Sequence, residues 1–372
     1  MIIVATVLGV GYVVLIVSIQ NCWWRRKEFI TQKSQEKASV TVIIAARNEE
    51  NFIKLCVLSI LSNDFPADKF EIIVIDDGSK DDTVKNIQSL KSEQLSVWPL
   101  PEDMTGKKAA IEYGITKARF PIILCTDADC IVGKHWIGAH ASFHATFSDV
   151  LVTGIVLPED QSSILSRFQF FDFAATMLMT HFGINNKIFF LANGANISYR
   201  KETFEKLGGY KGNEHVASGD DLFLIHKKAH DAPDTIHFIT SLDGAVNTKS
   251  EESWSDLVRQ RIRWASKSMK TGDNYLKIVQ GSICLYSIFT LFCLIHCLVF
   301  ISWFSLTPLL IVVSVKLITD FFFLKSLSWI FIRKKAMNDF LPCFLIYYLH
   351  IVGSGLIAIM PKAYLWKGRK VS

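Results

Sequence analysis

Asp127 and Asp129 stand one residue apart in the stretch ILCTDADCIV, Ile123 to Val132, directly after an uncharged run. Two carboxylates at the end of a buried strand are costly unless a positive charge meets them. Where the chain turns at such a pair, both can reach one ion. Hard divalent cations such as Mg²⁺ and Mn²⁺ take oxygen ligands of this kind and are usually completed by phosphate. An Asp turn capping a following helix would use the same letters. Asp76-Asp77-Gly78-Ser79 offers acceptors for a ribose or a base, or a helix cap through Ser79 or Asp81. Lys107 follows Gly106 at a helix start, where lysine and free amides together favour phosphate. Asp220-Asp221 precede the helical stretch Leu222 to Lys228. A carboxylate there caps the helix or serves as general base towards a hydroxyl. Gln260-Arg261-Ile262-Arg263-Trp264 comes just before a long apolar run, as in an amphipathic juxtamembrane helix.

Those residues need a frame. Val40 to Ala46 (VTVIIAA) is a β-branched run that reads as a strand buried on both faces. Helical spacing follows over Glu49 to Ser62. Glu71 to Asp76 is a second strand, Asp81 to Leu90 a helix, Ser96 to Leu100 a short strand, Gly106 to Ala118 a helix and Pro121 to Thr126 a strand. Such alternation predicts an α/β fold with a mostly parallel sheet flanked by helices. Ligands then bind beyond the carboxyl ends of the strands. Arg47-Asn48-Glu49, Asp76-Asp77 and Asp127 with Asp129 all fall at those ends. The phosphate-loop GxxxxGK[ST] and dinucleotide GxGxxG patterns are absent after the first strand.

The rest of the chain is apolar. Half of its 372 residues are hydrophobic. Ile2 to Ile19, Ile278 to Val315 and Phe340 to Pro361 carry no charge, and about 20 such residues cross a bilayer. The expectation is one N-terminal and about three C-terminal transmembrane or membrane-associated helices, with a break near Ser302 to Pro308. Trp23, Trp24, Arg25, Arg26 and Lys27 follow the first segment. Aromatic then basic residues read as an interface belt on the cytoplasmic side rather than the end of a cleaved signal peptide. The expected layout is an N-terminal helix over 1–22, a juxtamembrane linker over 23–38, a cytoplasmic catalytic domain over 39–270 and a membrane region over 271–372. Three full C-terminal crossings would put Lys367 to Lys370 outside, against the positive-inside rule. Either Phe340 to Ile359 is re-entrant or the last crossing ignores that rule. Lys316 and Asp320, four apart within a span, either pair on one helix face or mark its end. Eight cysteines without a CxxC pair suggest neither a disulfide framework nor a zinc site. The net charge of +5 fits membrane-flanking lysines and arginines, not a nucleic-acid footprint.

Taken in order, VIIAARNEE, EIIVIDDGSKDDT, GKKAAIEYGI, ILCTDADC, GANISYRKETFEKLGGY, SGDDLFL and QRIRW resemble the membrane-bound family 2 glycosyltransferases. These are the relatives of cellulose, chitin and hyaluronan synthases and of ceramide glucosyltransferase. The resemblance covers about Ser39 to Met269 and the pattern of spans. It implies a GT-A fold and inverting transfer of a sugar from a nucleotide diphosphate, with Mg²⁺ or Mn²⁺. By position it assigns Arg47 and Glu49 to the base, Asp77 to uridine and Lys107 to the diphosphate. Asp127 and Asp129 become the metal-binding pair, with Asp129 the direct ligand. Asp221 becomes the general base, although Asp220 stands where many relatives have Glu, so the base is one of the two. Gln260, Arg263 and Trp264 would close the donor site, Arg263 near the diphosphate and Trp264 near the acceptor. A lipid acceptor is favoured over a growing glycan, because three C-terminal segments are few for a channel. A short processive polysaccharide synthase and a non-catalytic nucleotide-sugar-binding subunit are the alternatives.

Overall fold

The computed structural model describes residues 1–26, 38–159, 162–212, 219–268, 273–359, 364–366 and 369–371. The chain opens with helix α1 (Ile2–Trp24) and then alternates β1 (Val40–Ala46), α2 (Ile53–Leu61), β2 (Phe70–Asp76), α3 (Thr83–Gln88), β3 (Leu95–Pro99), α4 (Lys107–Lys117) and β4 (Ile122–Asp127). Next come β5 (Cys130–Val132), α5 (Trp136–Thr146), β6 (Leu151–Gly154), β7 (Val156–Pro158) and the long helix α6 (Ile164–Asn186). β8 (Ile197–Arg200), α7 (Lys201–Lys206), α8 (Asp220–Asp231), β9 (Ile236–Ile239) and β10 (Val246–Thr248) follow. Helices α9 (Trp254–Ser268), α10 (Asn274–Val299), α11 (Trp303–Ile330) and α12 (Phe340–Ile359) come next, followed by two short paired strands, β11 (Tyr364–Trp366) and β12 (Arg369–Val371).

These elements form two compact units. One comprises Lys27–Glu159, Gly183–Lys249 and Val371–Ser372. Its main sheet has the strand order β3-β2-β1-β4-β8-β6-β9. The first four strands are parallel, β8 runs antiparallel to β4 and β6, and β9 is parallel to β6. A smaller sheet has the order β5-β10-β7. Val40, Val42, Ile43 and Ile44 of β1 are fully buried, as a continuous β-branched run requires when helices cover both faces. Each such side chain contributes about 1.5–3 kcal/mol of burial. Gly114 lets α4 lie close to the sheet, because a Cβ there would meet Ile43 Cγ2 at 2.8 Å. Helices α2 and α3 start later than their apolar spacing suggests. The residues before them are held instead in side-chain-capped loops, described below.

The other unit comprises Met1–Arg26, Asp160–Phe182 and Ser250–Lys370. Helix α9 and most of α6 therefore group with the apolar helices. Among the described residues, four segments are long and apolar enough to cross a membrane: Ile2–Trp24, Asn274–Val299, Trp303–Ile330 and Lys334–Gly353. The expected break near Ser302 to Pro308 is real. Ser302 caps α11 by a reciprocal bond with Ser305, and Pro308 sits inside the helix soon after that cap. Lys316 and Asp320 pair, Nζ to Oδ2 at 2.6 Å. Tyr12 of α1 donates to the same carboxylate at 2.5 Å, and Lys316 donates to the Tyr12 hydroxyl at 3.0 Å. Trp23 departs from the expected interface belt. It is 1% exposed, packing edge-on to His181 and against Phe331, whereas Trp24 is exposed. Lys27 and most of the linker over 23–38 lie outside the described residues, as do Lys367 and Gly368.

Candidate active site

Register brings the polar clusters of the sheet-bearing unit to one sheet edge. Ala46 ends β1 opposite Asp76, Asp76 lies opposite Pro99, and Ala45 lies opposite Asp127. The carboxyl ends of four parallel strands are thus level.

The loops after β1 and β2 hold each other in place. Asn48, with a positive φ of 54°, donates its N–H to Ser79 Oγ at 3.0 Å and accepts from Lys80 N at 2.9 Å. Glu49 N donates to Thr83 Oγ1 at 2.7 Å. Asp81 accepts from Thr83 N at 3.1 Å and from Glu50 N at 3.2 Å. The N-cap position of α3 is Asp82, without a side-chain cap bond, and Asp81 rather than Ser79 takes the helix's first N–H. Asp76 accepts from Ser79 N and closes the turn. Its neighbour Asp77 is buried, accepting from Gly106 N at 3.2 Å, with Arg47 Nη1 3.8 Å from its carboxylate. Arg47 also donates to the Asp77 carbonyl. Of the base-side residues inferred from sequence, Arg47 and Asp77 meet at the β2 end, while Glu49 is tied through its backbone to Thr83 of α3.

Lys107 begins α4 behind Gly106, whose φ of 91° is one a side chain rarely adopts. Its Nζ reaches Asp127 Oδ1 at 2.6 Å. The cation that must meet the strand-end carboxylates is therefore, in part, this lysine. After Asp127 the chain turns through Ala128 and Asp129 into β5. Ligand atoms of Asp127, Asp129 and Cys130 lie within 4.8 Å of one another. Burial and the carboxylates of Asp129 and Asp127 push the Cys130 thiol well above its usual range, and Cys56 is raised by the same causes. Asp127 and Asp129 offer carboxylate oxygens, the hard donors in this group. That chemistry fits Mg²⁺ or Mn²⁺.

Asp221 reaches the same edge by a different route. Gly219, at φ 92°, precedes α8. Asp221 Oδ2 accepts from Gly194 N at 2.9 Å, and Oδ1 from Leu222 N at 2.7 Å. Gly194 lies three residues before β8, whose first residue Ile197 is opposite Cys125 near the carboxyl end of β4. The side chain of Asp220 lies outside the described residues.

Gln260, Arg263 and Trp264 lie on α9, in the unit of apolar helices. Gln260 Nε2 donates to Glu251 Oε1 at 2.7 Å, and Trp264 packs edge-on to Phe173. Sequence spacing did not single out their neighbour Arg261. It is buried, ion-paired with Asp172, and lies 4.2 Å from the Trp264 ring centroid. Equally silent in the sequence was a buried polar chain behind the sheet edge, through Trp136, His140, His144 and Ser198, that ends on Asn196. His140 and His144 sit in a helix buried over most of its length, Trp136 to His144, so no periodicity marks them.

Residues 41–208 match the family model described as glycosyl transferase family 2. The chain carries a family 2 glycosyltransferase domain. The chain is 25% identical over 253 residues to the probable glycosyltransferase YdaM of Bacillus subtilis (strain 168), covering 63% of this chain and 56% of that protein. It is 28% identical over 143 residues to the poly-beta-1,6-N-acetyl-D-glucosamine synthase of Staphylococcus aureus (strain MSSA476), covering 38% and 34%. The matches thus span about half or less of these relatives. Among solved structures, the mannosyltransferase PcManGT from Pyrobaculum calidifontis, in complex with GDP-Man and Mn2+, superposes with a TM-score of 0.54 at 18% identity, over 96% of this chain and 95% of that one. That likeness is one of fold, and the chain has a GT-A-type fold with an N-terminal and three C-terminal apolar helices among the described residues.

Proposed function

We propose that this transferase moves a sugar from a nucleotide-diphosphate donor, of the UDP class, to a membrane-lipid acceptor in a single inverting displacement. The observation that carries the reading is the Lys107 Nζ to Asp127 ion pair at 2.6 Å, on the sheet edge where Asp77, Asp129 and Asp221 also converge. Arg47, Glu49 and Asp77 bind the nucleoside. Lys107 and the N-terminal amides of α4 hold the diphosphate. Asp129, with Asp127, would hold a divalent cation. When bound, that ion neutralises charge developing on the leaving diphosphate. Asp221 takes the proton of the acceptor hydroxyl as its oxygen bonds to the anomeric carbon. The bond from that carbon to the diphosphate oxygen breaks on the opposite face, and the nucleoside diphosphate leaves. Gln260 and Trp264 are assigned to the acceptor and Arg263 to the diphosphate, on the resemblance of their motif. The catalytic domain over 39–270 is placed in the cytoplasm of an integral inner or plasma membrane protein, on the basic flank of α1.

Similarity to a poly-beta-1,6-N-acetyl-D-glucosamine synthase supports one second reading, a short processive synthase. The full chain in native membranes, given a panel of radiolabelled UDP-sugars, separates the two. Label extracted into organic solvent supports the lipid acceptor, and label retained as polymer supports the synthase. Asp221→Asn is expected to lower kcat roughly 10²- to 10⁴-fold. Full activity in that variant, or in Asp129→Ala with the metal chelated, sinks the mechanism.

A further inference from the structure

Asn196 is fully buried, and each of its polar groups is engaged. Its Oδ1 accepts from Trp136 Nε1 at 3.0 Å and pairs with His140 Nε2 at 2.7 Å. Nδ2 donates to the carbonyls of Ile155 at 2.9 Å and Gly244 at 2.8 Å. The backbone N–H bonds to Asn193 O at 2.9 Å, and the carbonyl accepts from Gly154 N at 3.1 Å and Thr153 Oγ1 at 3.1 Å. The two carbonyl acceptors fix which end of the amide is nitrogen. His140 must then donate through Nε2 and accept at Nδ1 from the Ser198 hydroxyl, 2.8 Å away. His144 Nε2, also 2.8 Å from Ser198 Oγ, supplies the remaining donor. Directed donors thus run from His144 through Ser198 and His140 to Asn196 without a choice of direction. His144 Nδ1 is buried without a hydrogen bond, but every link from His144 Nε2 to Asn196 is made, and a slip within that run leaves a desolvated polar atom unpaired.

What the network holds still is the loop from Asn193 to Asn196. Asn193 Oδ1 accepts from Ala195 N at 3.0 Å, closing an Asx turn across Gly194. That turn directs the Gly194 N–H, itself buried, to Asp221 Oδ2 at 2.9 Å. We infer that Asn196, held by Trp136 and His140, is a positioning residue that aims the Gly194 N–H at the Asp221 carboxylate and so sets the direction of the general base. The inference rests on the assignment of Asp221 as base. None of the hydrogen bonds described for Asn196 involves Arg47, Asp77, Lys107 or Asp127, so base geometry and donor binding are separable.

Two mild variants reach Asn196 from opposite sides. Trp136→Phe keeps the ring volume and removes one donor to Oδ1. Gly154→Ala places a Cβ 2.6 Å from Nδ2 and pushes the amide. Using the full chain in detergent, kcat is measured with radiolabelled UDP-sugar, and nucleotide affinity with UDP by calorimetry. Expected for Trp136→Phe is a kcat lower by about 3- to 10-fold with the UDP Kd unchanged. Gly154→Ala is expected to fall further. In an Asp221→Asn background, Trp136→Phe should then cost nothing more, because the group it aims has gone. Weakened UDP binding in step with kcat, or a penalty of the same size in the Asp221→Asn background, overturns the proposal and makes the network a support of the whole sheet. Full activity of Asp221→Asn by itself overturns the base assignment instead, so the two failures are distinguishable.

Discussion

Lys107 and Asp127 make the residue-scale argument quantitative. Each alone is a common surface residue. At 2.6 Å and partly buried, they form a charge-assisted contact of the stronger kind. A diphosphate arriving at α4 competes with Asp127 for that ammonium, which leaves the carboxylate to a cation. Lys107→Met is therefore expected to raise the donor KM by about 10- to 100-fold with a smaller fall in kcat. Steady-state kinetics over UDP-sugar concentration check this, and an unchanged KM would remove Lys107 from the donor site. Asp76 and Asp77 show how adjacent identical residues divide roles. Asp76 closes its own turn through Ser79 N, while Asp77 reaches across to Gly106 N and Arg47. The letters alone permit either arrangement, because both sit at the end of one strand.

At the scale of elements, α4 and α5 do different work. α4 carries Lys107 and approaches β1 closely enough that Gly114→Ala must displace it. With 2.8 Å to Ile43 Cγ2, the added methyl is expected to cost about 1–3 kcal/mol. A thermal melt of the full chain reads it, and a gain in Tm would contradict the packing. α5 supplies the two buried histidines. Burial holds His140 down to about 4 and His144 to about 3, from 6.5. The unfolded chain binds their protons below 6.5, whereas the native state does not until near 4. Stability is thus full above 6.5 and falls as pH drops from there towards 4. His140 by this linkage accounts for about 3 kcal/mol of that loss. Denaturant melts between pH 7 and 4.5 test the slope, which His144→Phe should reduce. A flat profile would show that the fold leaves the proton affinity of these imidazoles at its unfolded value.

For the whole molecule, the charged residues inside an apolar helix are informative. Lys316 is fully buried, with its ammonium 4.7 Å from the Tyr12 ring and 5.1 Å from the Tyr348 ring. Tyr12 also stacks on Tyr286 at 4.6 Å. One ion pair therefore joins α1, α10, α11 and α12, which makes α1 part of the folded helical unit rather than a loose tether. Removing one partner leaves an uncompensated charge, so Lys316→Met or Asp320→Leu alone is expected to cost about 3–5 kcal/mol. The double variant should recover most of it. Survival of a monodisperse species after heating in detergent measures this, and single variants as stable as the parent would show that the pair does not bear on helix packing.

Much of this was legible along the chain. The β-branched run Val40 to Ala46 had to be a strand buried on both faces, and the alternation after it had to give a mostly parallel sheet with its polar ends on one edge. Uncharged runs marked four helices, because length and hydropathy need no tertiary contact to be read. Tertiary structure decided what depended on partners distant in sequence. Lys107 answers Asp127, Gly194 answers Asp221, Tyr12 answers Asp320 across 308 positions, and Trp23 turns inward to His181 instead of facing an interface. The same holds for Arg261 with Asp172, and for the imidazoles that end on Asn196. Periodicity reports which face of an element is buried. It carries no record of which polar group waits there, because a hydrogen bond is fixed by distance in space and not by spacing in the chain.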